Sequence, residues 1–197
     1  MMHGEYTSLL EIRKVSPSFA PTPICWGSCS EDPSRHFLLM EFRNFGSELP
    51  STEDFARELA HLHKQSNSPN GMFGFPMRTY NGNLPQDNAW TKSWEESFAK
   101  GIRSMLAMEE EVRGGSKELQ ELSQDLLTKV IPRLLRPLET QGRSIKPSLL
   151  HGDLWIGNIA CDKATGQPVV FDSSAYFGHH ECGSCCPECI RSDSLTF

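Results

Sequence analysis

An α+β fold, mainly helical with a few short strands, is predicted by three observations. Residues 51–63, 93–112 and 116–138 carry apolar side chains at helical spacing. Runs of strand length stand at 24–26 and 36–42. Near the C-terminal end, 159–161 and 169–171 flank a polar turn, as the arms of a hairpin do.

Taken in order, residues 4–15 read as a short helix with Tyr6, Leu9, Leu10 and Ile12 apolar. The prolines at 17, 21 and 23 stiffen a connector into the strand at 24–26. Residues 31–35 supply a turn before the strand-length run 36–42. Ser51, with Asp54 three residues on, caps the next helix, which buries Phe55, Leu59 and Leu62. Residues 67–90, rich in Gly, Asn and Pro, form a long loop whose Phe73, Phe75, Tyr80 and Trp90 pack it onto the body. A helix from Ser93 carries Phe98, Ile102, Met105 and Leu106 and breaks at Gly114 and Gly115. The helix 116–138 has Leu119, Leu122, Leu126, Val130 and Leu134 as a stripe expected to be core, and Pro132 should kink or end its last turns.

The net charge of −6, with no long basic run, argues against a nucleic-acid groove or an anionic membrane surface. No stretch approaches the length of a membrane span, and residues 1–10 lack the basic and apolar parts of a signal peptide. A cytoplasmic, reducing compartment is the expectation, with the seven cysteines as thiols. Cys182, Cys185, Cys186 and Cys189 have a spacing that could ligate zinc, with His179 and His180 nearby; the alternative is a disordered tail.

The chemistry concentrates in the last third. Asp153 and Asn158 stand five apart, the spacing of a kinase catalytic loop, and Asp172 follows across the hairpin. The hairpin folds Asp172 back toward Asn158, so a carboxylate and an amide oxygen can share one Mg²⁺, a cation that prefers oxygen ligands. A separate carboxylate, Asp153, is then available to take the proton of an attacking hydroxyl. Gly152 allows a tight turn beside it. His151 is read as a prop for the loop by hydrogen bonding.

At these residues the chain resembles the fructosamine-3-kinase and ketosamine-3-kinase-related family, in the aminoglycoside/choline-kinase branch of the protein-kinase-like fold. Leu149-Leu-His-Gly-Asp-Leu-Trp-Ile-Gly-Asn158 is close to the family's LLHGDLWSGN. The segment from Asp172 to Glu181 resembles its DPASFYGHSE, with Ser173 where the family usually has Pro. Trp155 and the Gly178-His179 pair distinguish this branch from eukaryotic protein kinases. The segment 83–90 with Trp94 and Phe98, the segment 73–75, and Leu59-Ala-His-Leu-His63 match similarly.

The resemblance implies ATP and Mg²⁺ as cofactors, Asp153 as base, and Asn158 and Asp172 as metal ligands. It also implies that the backbone of Glu41, Phe42 and Arg43 meets adenine and that Glu5 pairs the ATP-binding lysine. The implied reaction is phosphorylation of the C3 hydroxyl of ketosamines, ribulosamine or fructosamine, on glycated protein amines or small molecules. Implied divisions are an N-lobe remnant over 1–45, a mainly helical C-lobe over 46–181 and the cysteine-rich tail 182–197. The family's glycine loop and lysine strand would precede Glu5, where four residues stand, and Lys14 follows it on the same helix. An incomplete N-lobe and weak or absent transfer by this chain alone are therefore expected. A pseudokinase-like binding module is the alternative, and a choline or aminoglycoside kinase is disfavoured by Trp155 and the 83–90 segment.

Overall fold

The computed structural model describes residues 1–183. Helix α1 (Met2–Val15) turns Gly4, Ser8, Leu9 and Ile12 inward, one stripe at helical spacing. Ser8 sits at its centre: the hydroxyl donates to the Gly4 carbonyl (2.8 Å) and accepts from the Ala175 amide (3.0 Å), anchoring α1 to a segment far along the chain. Strands β1 (Pro23–Ser28) and β2 (His36–Met40) pair antiparallel, and the Asp32 carboxylate caps the turn between them through the Ser34 amide (3.0 Å). Strand β2 stops at Met40, two residues before the end of the expected run. The Glu41 amide adds one more backbone bond, to the Thr22 carbonyl (2.8 Å), while the Thr22 amide turns to the Glu41 carboxylate (3.1 Å).

Helix α2 (Thr52–Gln65) starts as the sequence signals. Ser51 Oγ accepts from the Asp54 amide (3.1 Å), and Phe55, Leu59, Leu62 and His63 are buried. The 67–90 loop is tied down along its length. Gly74 and Phe177 exchange backbone hydrogen bonds (2.9 and 2.8 Å), as do Phe73 and Thr91 (2.9 and 2.8 Å). A small hairpin, β3 (Tyr80–Asn81) with β4 (Leu84–Pro85), turns at Gly82. Phe73 and Phe75 are buried, which is why a Gly- and Pro-rich loop carries aromatic residues.

Helix α3 (Trp94–Arg113) is capped by Ser93 and again by the Glu139 carboxylate, which accepts from the Trp94 amide (2.8 Å). The predicted single helix 116–138 is instead a sequence of forms: α4 (Lys117–Asp125), a π turn (Leu126–Val130), α5 (Ile131–Leu135) and a 3-10 turn (Arg136–Glu139). Pro132 has no amide to donate and crowds the carbonyl four residues back, and the Ile131 amide reaches the Leu126 carbonyl five residues back. The expectation that this stripe is core is corrected. Leu122 is 63% and Leu134 61% exposed, whereas Ile131 is 3% exposed. Helical period identifies an apolar face; burial also needs something to lie over it, and while Leu119 turns toward α3, Leu122 and Leu134 stay open to solvent.

The C-terminal third supplies β5 (Ser148–Leu150) paired with β8 (Tyr176–Gly178), and the β6 (Ile159–Cys161)–β7 (Pro168–Val170) hairpin. The core gathers Leu9, Ile12, Phe19, Phe55, Leu59, Leu62, Leu149, Val170 and Phe177, joining α1 and α2 to both strand pairs. Among the described residues no helix is long and apolar enough to cross a membrane. Cys25, Cys29, Cys161 and Cys182 are free thiols. Cys185, Cys186 and Cys189 of the suggested zinc spacing lie outside the described residues. Among the described residues no three His, Cys, Asp or Glu side chains gather to hold a metal ion.

Candidate active site

The chain leaves β5 through His151, Gly152 and Asp153. Gly152 has φ +87°, and a Cβ built there would lie 2.1 Å from the Ser174 carbonyl oxygen, so both the backbone angle and the close approach require glycine. His151 is buried beneath the turn. Its Nε2 lies 3.0 Å from the Phe171 carbonyl, and the Asp153 amide points to its Nδ1 at 3.4 Å. Those partners select one tautomer, protonated at Nε2. Burial pushes the imidazole down to about 4, despite opposing hydrogen bonds, so it is neutral and committed to the loop. The reading of His151 as a prop agrees with this geometry.

Asn158, 4% exposed, closes the loop. Its Nδ2 donates to the Asp153 main-chain carbonyl (2.8 Å) and to the Asp153 carboxylate (3.2 Å). With the amide nitrogen facing Asp153, Oδ1 faces away from it and is available to a cation. A short 3-10 turn (Ile156–Asn158) leads directly into β6, so the hairpin begins at this side chain. On the return, the Phe171 amide donates to the Asn158 carbonyl (3.2 Å), which brings Asp172 alongside. Asp172 has φ +56°, an uncommon angle for a residue with a side chain.

The electrostatics join a fourth residue to the group. Burial raises the Asp153 carboxyl, its bond from Asn158 lowers it, and Asp172 raises it further. Glu5, on α1, is pushed up to about 7, first by burial and then by Asp172, with the Met1 ammonium opposing. Glu5 and Asp172 line one cleft of about 200 Å³ with Tyr80, Asn83 and Ser173. Among the described residues no Lys or Arg forms an ion pair with Glu5, Asp153 or Asp172.

Asp153, Asn158, Asp172 and Glu5 therefore lie in one neighbourhood. Glu41, Phe42 and Arg43 lie at the other end of the β6–β7 hairpin, where Phe45 bridges to Asp162. The Glu41 amide is taken by Thr22, and the Phe42 side chain is 89% exposed. Sequence reasoning missed a polar wall behind the 151–153 turn. Ser173 Oγ donates to the His151 carbonyl (2.9 Å) and the Ser174 amide binds the same oxygen (3.0 Å). Gln86 Nε2 donates to Ser174 Oγ (2.9 Å) and to Asn81 (2.9 Å). A second cleft of about 230 Å³ runs from Gly152 and Tyr176 past Gln86 to Trp94, Phe98 and Met105. The signal available was the Ser-Ser pair straight after Asp172, which serine hydrogen bonding explains and strand propensity does not.

Comparison with known proteins bears on this geometry. A family model described as fructosamine kinase matches residues 1–189. The chain is 33% identical over 184 residues to the chloroplastic protein-ribulosamine 3-kinase of Oryza sativa subsp. japonica, covering 92% of this chain and 50% of that protein. It is 44% identical over 110 residues to the ketosamine-3-kinase of Mus musculus, covering 55% of this chain and 33% of that one. The chain thus spans about half the length of the first of these relatives. Among solved structures, one described as a candidate fructosamine-3-kinase from Haemophilus somnus 129PT superposes with a TM-score of 0.73 at 27% identity, covering 98% of this chain and 61% of that one. An aminoglycoside phosphotransferase, APH(4)-Ia, superposes with a TM-score of 0.55 at 16% identity over 90% of this chain and 58% of its own, a likeness of fold.

Proposed function

The chain belongs to the fructosamine kinase family and has the protein-kinase-like fold, and on that premise we propose that its cleft serves ATP-dependent phosphorylation of the C3 hydroxyl of ketosamines. The observation that carries the reading is the Asp153–Asn158 contact, which holds a partly desolvated carboxylate beside an amide oxygen presented the other way. The substrates proposed are ribulosamine or fructosamine adducts, on protein amines or small molecules, in keeping with the names of the relatives. Residues 1–45 would act as the nucleotide-side lobe and 46–181 as the lobe carrying the catalytic loop.

The chain's own groups divide the work. Asp153 orients the hydroxyl and takes its proton as the oxygen attacks the γ-phosphorus. The new O–P bond forms as the bond to the β–γ bridging oxygen breaks, and ADP leaves. A raised carboxyl is a stronger base than an ordinary aspartate, which suits the role. Asn158 Oδ1 and the Asp172 carboxylate are hard oxygen donors beside carboxylates that lack a basic partner among the described residues, a setting that fits Mg²⁺. Held there, Mg²⁺ would offset the charge of the phosphate oxygens. The Glu41–Arg43 backbone would meet adenine, with the Glu41 carbonyl rather than its amide as the free group. The cleft running from Gly152 past Tyr176 and Gln86 would take the sugar adduct.

A second reading, a module that binds nucleotide or ketosamine without turnover, is favoured by Glu5. No Lys or Arg pairs with it among the described residues, and burial and then Asp172 raise its carboxyl. Phosphate transfer from γ-labelled ATP to a ribulosamine separates the two. The kinase reading expects label at C3, lost by about 100-fold or more in Asp153→Ala. ATP binding with no transfer would establish the second reading instead.

A further inference from the structure

We infer that Arg43 is a positioning residue that registers the adenine side of the cleft against its metal-binding side, through the β6–β7 hairpin; the inference rests on the nucleotide-binding reading above. The Arg43 side chain is 17% exposed and its partner Asp162 6%. Arg43 Nη1 donates to Asp162 Oδ2 (3.0 Å), and Nη2 donates to Glu41 Oε2 (3.2 Å). Glu41 Oε2 in turn accepts from the Thr22 amide (3.1 Å) and hydroxyl (2.8 Å). A continuous polar chain therefore runs from the entry of β1, through the 41–43 segment, to the hairpin.

Asp162 is suited to receive it. Its other oxygen, Oδ1, accepts the amides of Ala164 (2.9 Å) and Thr165 (3.1 Å), so the same carboxylate shapes the hairpin turn. Backbone bonds fasten the next residues: Lys163 N to the Asn44 carbonyl (2.9 Å) and Gly46 N to the Cys161 carbonyl (2.8 Å). At the hairpin's other end, Phe45 stacks on Phe171, ring centroids 5.1 Å apart and planes at 15°, immediately before Asp172. Asn158 and Asp172 flank the hairpin at that end. Three residue pairs, roughly 10 Å of strand, lie between the two ends. A paired strand is stiff along its length, so fixing 41–43 to its turn fixes them relative to the metal pair.

The residue type matters. A guanidinium presents several donors in one plane and can hold two carboxylates at once, whereas an ammonium is a single point charge. Backbone bonds and the Phe45–Phe171 stack fasten 44–46, and Arg43 is the polar side-chain tie that extends the registration to Glu41.

The test is calorimetric titration of adenosine and of Mg·ATP into the wild-type chain and into Arg43→Met, Arg43→Lys and Asp162→Asn, with melting temperatures alongside. Asp162→Asn keeps an oxygen for the turn amides and breaks the pair from the other side. The expected result is about tenfold weaker Mg·ATP binding in Arg43→Met and Asp162→Asn, a smaller loss in Arg43→Lys, and in every variant a loss of adenosine affinity several-fold smaller than the loss for Mg·ATP. Equal weakening of both ligands, in step with melting temperature, would assign Arg43 to stability and overturn the inference. Unchanged Mg·ATP binding in the variants would overturn it while leaving the nucleotide reading intact. A wild-type chain that binds neither ligand would overturn both.

Discussion

The side-chain amide of Asn158 donates to both the main-chain carbonyl and the carboxylate of Asp153, at 2.8 and 3.2 Å. One side chain therefore fixes the loop's backbone and the carboxylate's direction. Asn158→Leu, close in volume, should release both. The expected outcome is at least about a tenfold fall in phosphate transfer with a loss of about 1 kcal/mol in stability, since two hydrogen bonds to part-buried acceptors are removed. Steady-state transfer and denaturant titration of the same preparation check it.

Gly152→Ala should be far worse than an ordinary surface change. The added Cβ would meet the Ser174 carbonyl at 2.1 Å, at a backbone angle of +87° that alanine resists. A destabilisation of roughly 2–4 kcal/mol is expected, with displacement of the 151–153 turn. Thermal melting checks the first. Loss of the Ser174 amide's protection from hydrogen exchange checks the second.

Stability should depend on pH in a defined way. His63 and His151 are each held down to about 4, His63 by burial and then His180, so between 4 and 6.5 the unfolded chain binds protons that the folded chain refuses. Their contribution is complete above 6.5 and is lost as pH falls toward 4. Glu5, held up to about 7 from 4.5, acts in the opposite sense: the folded chain keeps its proton, and stability falls as pH rises from 4.5 to 7. Two histidines outweigh one glutamate up to about pH 7, which places the stability maximum near there, with stability almost level above it. Glu5→Gln should steepen the climb toward the maximum, because the opposing fall between 4.5 and 7 is gone. His63→Leu should weaken the decline below it and raise neutral-pH stability, because among the described residues the buried His63 Nε2 has no hydrogen-bond partner. Denaturant titrations across pH 4.5–8 check all three.

The open faces of α4 and α5 should tolerate charge. Leu122→Glu and Leu134→Glu, at positions 63% and 61% exposed, are expected to change stability by less than about 0.5 kcal/mol and to reduce self-association. Melting and light scattering check this.

Much of the fold was legible because local rules decided it. Ser51 and Ser93 cap the helices that their sequences announce, and the β6–β7 hairpin forms around the predicted turn. The conformation of the 151–153 turn was legible for the same reason: residues 149–158 are contiguous, and Gly152 has a backbone job that only glycine does. What escaped was set by distant partners. The stripe on α4 has the right period, but burial depends on a neighbour that period does not encode. The Arg43–Asp162 pair joins residues 119 apart, and Ser8 meets Ala175 across 167, separations over which no spacing rule acts. The polar wall of Ser174, Gln86 and Asn81 likewise forms only once the 67–90 loop folds back onto the 151–153 turn.

The most direct measurement of the central claim is Mg²⁺-dependent nucleotide binding. ATP would be titrated with and without Mg²⁺ into wild type, Asn158→Leu and Asp172→Asn. If the two side chains share one cation, Mg²⁺ strengthens ATP binding to wild type by about tenfold or more, and each variant loses most of that enhancement while still binding adenosine. An undiminished Mg²⁺ enhancement in both variants would contradict the account.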